Sequence, residues 1–480
     1  MVQIFNPFRE IHMSATRTEY DTLGPMTVPA EALYGAQTAR AIENFPISGL
    51  AFPRPFLHAL GLIKEQAAHV NLELGLLDER RAQAIVAAAA EMVRGDLDRH
   101  FPLDIFQTGS GTSTNMNANE VLANRACQLL GEPPGSHAVH PNDHVNLCQS
   151  SNDVIPTAMH LAVAMEIRER LIPALAGMQK VLGEKALAFD DIITIGRTHL
   201  QDATPVRLGQ IFGGYFRQVS IAGGEVARTL DGLGELPLGG TAVGTGINSH
   251  PEFAQKVIAN LSEATDLYLR EARDHFASQA GKEQVVAASG ALRTTAVALF
   301  KIANDIRLLG SGPRCGLGEL KLPTVQPGSS IMPGKVNPVM AESLLQVCVQ
   351  VVGNDAAVAL GGLSGNFELN VMMPVITHNL LQSIDLLSNA VTVFTTRCLQ
   401  GLEADRERCE SLVEQSLAMC TALAPVIGYD RAAAIAKAAY ASGRTVRAVA
   451  LEMNILPEDE LTRLLDPRTQ TEPGFPRSDG

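Results

Sequence analysis

Between Val285 and Leu309 the apolar positions advance by three and four residues in alternation: Val285, Ala288, Leu292, Thr295, Leu299, Ile302, Ile306 and Leu309. Only Thr295 breaks the apolar run, while Arg293, Lys301, Asp305 and Arg307 fall off the stripe. The spacing predicts a single α-helix roughly 36 Å long at about 1.5 Å per residue. So narrow and long a stripe is the seam of a bundle, because a lone surface helix has nothing to cover it. Ile376, Leu380, Ile384, Leu387, Val391 and Phe394 repeat the pattern, and Val154–Phe189, Leu208–Leu233 and Met340–Leu360 are further long stretches. A central domain of long helices is therefore expected over residues 150–403.

The flanks have a different texture. Residues 1–149 carry shorter helical stretches, Phe56–Leu76 and Asp78–Gly95, separated by Pro and Gly, and are expected to form an N-terminal helical domain. Residues 404–480 are more polar, with short helices at Arg431–Ser442 and Val446–Met453, and read as a small C-terminal helical domain. The Pro-rich, charged end Asp466–Gly480 is expected to be loosely held. Strand signals are scarce, Ile192–Ile195 being the best. The fold class expected is all-α. Met13-Ser14-Ala15 reads as a start, which would make Met1–His12 an extension; that segment has no long apolar stretch and is a poor secretory signal.

Composition narrows the function classes. With no Trp, 6 Tyr and 16 Phe, the core must be aliphatic, which suits close helix packing. A net charge of −13 argues against a nucleic-acid partner, which leaves a basic footprint. It also means that any anionic substrate must be received by local positive potential. The 7 Cys are scattered and form no C-x-x-C pair, which fits reduced thiols in the cytoplasm. The most apolar run, from Leu344 onward, is interrupted by Gln346, Gln350, Asn354 and Asp355 and reads as a buried helix rather than a membrane span.

Polar, Gly-rich stretches interrupt the helical pattern at five places: Gln107–Thr112, His140–Asp143, Gln149–Asp153, Gly196–Asp202 and Gly328–Pro338. Their hydroxyls, amides and one Lys suit a small dicarboxylate, and Gly-rich backbone adds N–H dipoles. Gly328–Pro338 is not a nucleotide P-loop, since five residues separate Gly328 from Gly334, Val336 replaces the metal-binding hydroxyl, and no strand precedes it. A loop bracketed by glycines in this way can close over a ligand and expel water. His137, His140 and His144 invite a metal reading, but Pro141 breaks the helical face that it requires. Gly239–Gly246 lacks the βαβ surroundings of a dinucleotide loop and reads as a turn between helices.

These five segments, in this order on a helical chain, resemble the active-site segments of the fumarase/aspartase superfamily over about Thr16 to Pro467. The resemblance implies a homotetramer whose active sites draw on three subunits, with no metal and no organic cofactor. It further implies that Ser329 is the base, that Lys335 and Asn337 hold the aci-carboxylate formed when a proton leaves the adjacent carbon, and that His199, oriented by Glu342, serves the leaving hydroxyl. Ser110, Thr112, Ser150, Ser151, Asn152, Thr198 and Ser330 would supply the remaining substrate hydrogen bonds. His140, Asn142 and Asp143 would form a secondary anion site near the entrance.

Within the superfamily, Ser151, the form Thr108-Gly-Ser-Gly-Thr112 and Gly365-Asn-Phe-Glu-Leu-Asn370 resemble the hydratase branch. That branch implies reversible anti hydration of fumarate to (S)-malate, a tricarboxylic acid cycle step. The alternatives are an aspartate ammonia-lyase and an inactive scaffold of the same fold. Leu147 and His137 depart from the branch by lowering positive charge at the entrance site, and Ala424-Pro-Val426 departs from it as well.

Overall fold

In the computed structural model, which describes residues 15–474, both predicted seams are inside. The eight positions from Val285 to Leu309 are at most 8 % exposed, and the six from Ile376 to Phe394 at most 1 %. Each fully buried Leu or Ile side chain contributes about 1.5–3 kcal/mol, so the seams are a principal source of stability.

The chain opens with an antiparallel hairpin, β1 (Thr16–Asp21) and β2 (Gly24–Pro29). Then come α1 (Ala36–Asn44), α2 (Arg54–Glu73), α3 (Glu79–Arg94), α4 (Thr112–Leu129) and α5 (Ser151–Glu166). A wide π-type turn at Ile167–Leu171 carries α5 into α6 (Ile172–Ala188). A second hairpin, β3 (Ile193–Thr198) and β4 (Gln201–Arg207), precedes α7 (Leu208–Leu233), α8 (Phe253–Thr265) and α9 (His275–Ala280). The long α10 (Glu283–Leu309), α11 (Val339–Gly362) and α12 (Met373–Phe394) follow. Short helices α13 (Arg406–Gln415), α14 (Ala424–Ile427), α15 (Tyr429–Ser442), α16 (Val446–Glu452) and α17 (Glu458–Leu464) end the fold. The remaining described strands have two residues each, so the class is all-α.

Two compact units are present. The first comprises Met1–Ile172, Glu225–Arg293 and Gln350–Leu386; the second comprises Pro173–Gly224, Thr294–Val349 and Leu387–Gly480. In the first, α2 packs on α3, α5 and α8, with Phe56, Leu60, Ile63, Ile85 and Ile155 wholly buried. The limits of α3 follow from its sequence. Asp78 accepts the Arg81 N–H at the start, and Gly95, left-handed at φ 92°, ends it. In the second unit, β3 contributes Ile193 and Ile195 to a core shared with Val413, Leu423, Ile435 and Leu461 of the C-terminal segments.

The structure corrects several expectations. The first 149 residues are not purely helical, because β1 and β2 pair, and Arg17 fastens the hairpin to the carbonyls of Pro29, Ala32 and Tyr34 at 3.0, 2.6 and 2.9 Å. The end of the chain is held as far as it is described: Thr471 receives Arg207 at 3.1 Å through its hydroxyl and Gln210 at 2.9 Å through its carbonyl. Residues 475–480, like the proposed extension Met1–His12, lie outside the described residues. The helix from Leu344 onward is buried on one face only. Asn354 and Asp355 point inward to Ser383, Ser289 and Arg293, while Val349 and Leu360 are 62 % and 66 % exposed. By length and composition alone, α10 and α11 could cross a membrane.

Truncating the first seam should be costly. Leu292→Ala is expected to lower the unfolding free energy by about 2–5 kcal/mol, measured by denaturant titration; a loss below about 1 kcal/mol would show that the seam collapses around the gap.

Candidate active site

Two helix N-termini meet in the first unit. Thr112 is the first residue of α4 and Ser151 the first of α5, and their hydroxyls lie 2.9 Å apart. The buried Ser110 joins this chain through Thr112 at 2.7 Å. Helix N-termini leave N–H groups without intrahelical acceptors and carry partial positive charge, so the convergence makes an anion cradle without formal charge. The geometry demands glycine on both sides of Ser110. A Cβ on Gly109 would lie 1.8 Å from the Val371 carbonyl, and Gly111 is left-handed at φ 72°.

The start of α5 is a capping box. Ser150 accepts the Asn152 N–H at 3.3 Å, and Asp153 accepts the Ser150 N–H at 2.9 Å. The fully buried Asp153 also receives the N–H groups of Gly239 and Thr241 at 3.1 and 3.0 Å. Asn152 donates to the Ala242 carbonyl at 2.8 Å. The Gly239–Gly246 turn is therefore fastened to the N-terminal cap of α5, a role its composition does not announce. Behind it lies Lys64, wholly buried in α2, whose ammonium donates to Asn146 at 3.1 Å and Gln149 at 2.9 Å. Burial pulls this amine down to about 7, with Asp153 opposing, and burial raises the Asp153 carboxyl. Sequence reading passed over Lys64, although a lone Lys in the run Leu62-Ile63-Lys64 was the available signal.

His140, Asn142 and Asp143 occupy a short wide turn, Pro141–Val145, which His140 caps by accepting the N–H groups of Asn142 and Asp143 at 3.2 and 3.1 Å. His137, His140 and Asn142 line a cavity of about 300 Å³ together with Glu19, Asp21 and Glu120. Those carboxylates are engaged elsewhere, Glu19 with Arg17, Asp21 with Arg40, and Glu120 with the backbone of Gly35, Gln37 and Thr38. No cluster of three or more metal-ligating groups occurs among the described residues.

The second unit carries the other candidates. The loop Gly328–Pro338 closes on itself. Gly328 N–H donates to the Lys335 carbonyl at 2.9 Å, and the Asn337 amide donates to the Gly328 carbonyl. A Cβ on Gly328 would sit 2.3 Å from that Lys335 oxygen. Ser329 Oγ accepts two backbone N–H groups, from Ile331 at 3.2 Å and Met332 at 3.0 Å. Ser330 and Lys335 are exposed, and the Lys335 side chain makes no bond among the described residues.

Thr198 and His199 stand at the exposed tip of the β3–β4 hairpin. Thr198 pairs with Gln201, so His199 and Leu200 form a two-residue turn with φ 58° and 60°. Such turns favour Asn and Gly; here His and Leu take the left-handed conformation, a strained arrangement of the kind kept at functional sites. Glu342 is half-buried in the first turn of α11. Its carboxylate and the His199 ring are not bonded to each other within the chain. The structure thus unites Ser110, Thr112, Ser150, Ser151 and Asn152 in one place, and Ser329, Ser330, Lys335 and Asn337 on one loop.

Comparison with known proteins places these residues in context. Residues 24–353 match a lyase family model, and residues 419–472 match that of the fumarase C C-terminus. The chain is similar to the class II fumarate hydratase of Halobacterium salinarum, 56% identical over 459 residues and covering 96% of this chain and 98% of that one. The class II fumarate hydratase of Thermosynechococcus vestitus is 53% identical over 449 residues, covering 93% and 96%. Among solved structures, a class II fumarase from Schistosoma mansoni matches with a TM-score of 0.92 at 41% identity, covering 94% of this chain and 98% of that one.

The buried amine gives a signed pH test. Its folded value of about 7 lies below the ordinary 10.5, so between these the unfolded chain binds one more proton and stability must rise with pH. Relative to Lys64→Met, the wild type should gain somewhat over ~1 kcal/mol per pH unit above pH 7. Parallel stability profiles for the two proteins would show that Lys64 is not desolvated.

Proposed function

We propose, for a chain that belongs to the class II fumarate hydratases, that the Gly328–Pro338 loop and the β3–β4 hairpin bring base and acid to opposite faces of a C4 dicarboxylate held by the Ser110–Thr112–Ser151 cradle. The chain is a lyase that carries out the reversible hydration of fumarate. In the malate-to-fumarate direction Ser329 takes the C3 proton, and the electron pair moves into the adjacent carboxylate. The resulting aci-carboxylate is held by Lys335 and Asn337. The C2–O bond then breaks, and the departing hydroxide takes a proton from His199 to leave as water.

One observation carries this reading. A serine is a poor base unless its alkoxide is stabilised, and Ser329 Oγ already accepts the Ile331 and Met332 N–H groups. Fixed donors aimed at developing charge need no reorganisation, which is the electrostatic requirement of the step. Lys335 strengthens its hold on the second negative charge once the loop excludes water. Ile331 at the loop tip is 83 % exposed, an apolar side chain that closure would cover.

The active site is completed by further copies of the chain. Val297, Val349, Val352 and Leu360 on α10 and α11 are 61, 62, 43 and 66 % exposed, an apolar surface that a homotetramer covers. In this arrangement residues 1–149 and the start of 150–403 provide the cradle, the remainder of 150–403 provides the long helices, hairpin and loop, and 404–480 forms a small helical domain. His140, Asn142 and Asp143 are assigned to a secondary carboxylate site at the entrance. The reaction needs no metal, organic cofactor, nucleic acid or membrane, and a cytoplasmic location accords with seven free thiols.

Purified protein given malate should produce fumarate, followed by ultraviolet absorbance, whereas aspartate should give none; the reverse result would assign an ammonia-lyase. Ser329→Ala is expected to lower kcat by roughly 10²–10⁴-fold while light scattering still shows four chain masses. Full turnover in that variant would remove Ser329 from the mechanism, and a monomer in the wild type would remove the shared site.

A further inference from the structure

The β3–β4 hairpin that carries His199 is fastened from below by a charged pair outside the machinery described so far. Glu319 is wholly buried, and its carboxylate accepts the Thr194 hydroxyl of β3. Its second oxygen meets the Arg197 guanidinium at 2.7 Å, off the N–H direction, so this is an ion contact rather than an aligned hydrogen bond. Arg197 lies two residues before His199.

In a regular strand, residues 194 and 197 would face opposite sides. The pairing register shifts between Ile195 and Arg197: β3 advances two residues while β4 advances three, from Pro205 to Asp202, so the extra residue lies in β4, and the Arg197 side chain still reaches the carboxylate that Thr194 contacts. Gly196 permits the shift, since a Cβ there would lie 2.6 Å from the Thr204 carbonyl. Thr194 and Arg197 thus converge on one buried carboxylate at the irregular end of the hairpin.

The backbone of Glu319 is itself held on both sides. Its N–H donates to the Leu309 carbonyl at 2.9 Å and its carbonyl accepts the Asp405 N–H at 2.9 Å. Immediately after it, Leu320–Lys321 pair with Glu403–Ala404, and the chain then enters the segment bearing Ser329. One rigid floor therefore supports both the strained His199 turn and the root of the catalytic loop.

We propose that Arg197 and Glu319 form a positioning pair that fixes His199 for proton transfer in the hydration reaction. The inference rests on the assignment of His199 made above. Neither residue touches substrate; both act through the direction in which the hairpin tip presents the imidazole. Arg is required rather than Lys because its planar guanidinium keeps one orientation against the carboxylate.

The test is a double-mutant cycle on the full-length oligomer with malate as substrate. Glu319→Gln should lower kcat by about 10–100-fold, the scale of a small misplacement of a reacting group, with KM within about threefold and with oligomeric mass and melting temperature near wild type. In the His199→Asn background the same substitution should change kcat by less than about twofold. If Glu319→Gln yields no folded oligomer, Arg197→Lys takes its place in the cycle, with the same expectations. Wild-type kcat in the single variant, or an equal loss with and without His199, would overturn the pair's role. Wild-type turnover by His199→Asn alone would overturn it as well, by removing the residue it serves. A wild-type protein inert towards malate would instead refute the proposed function itself.

Discussion

The contact between the Thr112 and Ser151 hydroxyls sets the geometry of the site. It fixes the N-termini of two helices against each other, and those termini supply local positive potential in a chain of net charge −13. A dianion attracted by formal charges alone would meet a repulsive molecule. Helix dipoles and hydroxyls act over a few ångströms, where the net field matters little, and they undergo no ionisation change near neutral pH. The contact is possible only because Gly109 passes against the Val371 carbonyl and Gly111 adopts a conformation closed to most residues.

Buried charge is used in this protein as a fastener. Lys64, Asp153 and Glu319 are each removed from water at a cost that only hydrogen bonds and opposite charge offset. Each lies beside a segment that must be held in place: Lys64 behind Asn146 and Gln149, Asp153 between the α5 cap and the Gly239–Gly246 turn, Glu319 beneath the hairpin. An apolar residue would stabilise these positions as well, but it would not select one orientation of a polar turn. The strained pair His199–Leu200 shows why selection is needed, since a free hairpin of that sequence would relax.

Division of labour between elements follows from this. The long helices gain their stability from apolar seams and provide rigid termini. The loop Gly328–Pro338, by contrast, is held mainly by its own backbone and the Asn337 amide, which leaves it able to move as a unit. With Ser329 proposed as the base, a rigid receptor and a separately held loop suit a reaction in which water must enter, react and then be shut out.

Much of this was legible in the order of residues. The step of three and four from Val285 to Leu309 fixed the longest helix, because side-chain burial must repeat with the helical turn. The five polar segments stood out because Gly and hydroxyls interrupt a helical pattern at few places. Gly-rich composition could not reveal that Gly239–Gly246 is bound to Asp153, nor could a single Lys in α2 reveal its burial, since both depend on contacts across dozens of residues. The β1–β2 hairpin was missed because its pairing, not its propensity, stabilises it. Local periodicity determines which residues face a core. Only the folded chain decides which buried charges meet, because Coulomb and hydrogen-bond energies depend on distances that spacing along the sequence does not contain.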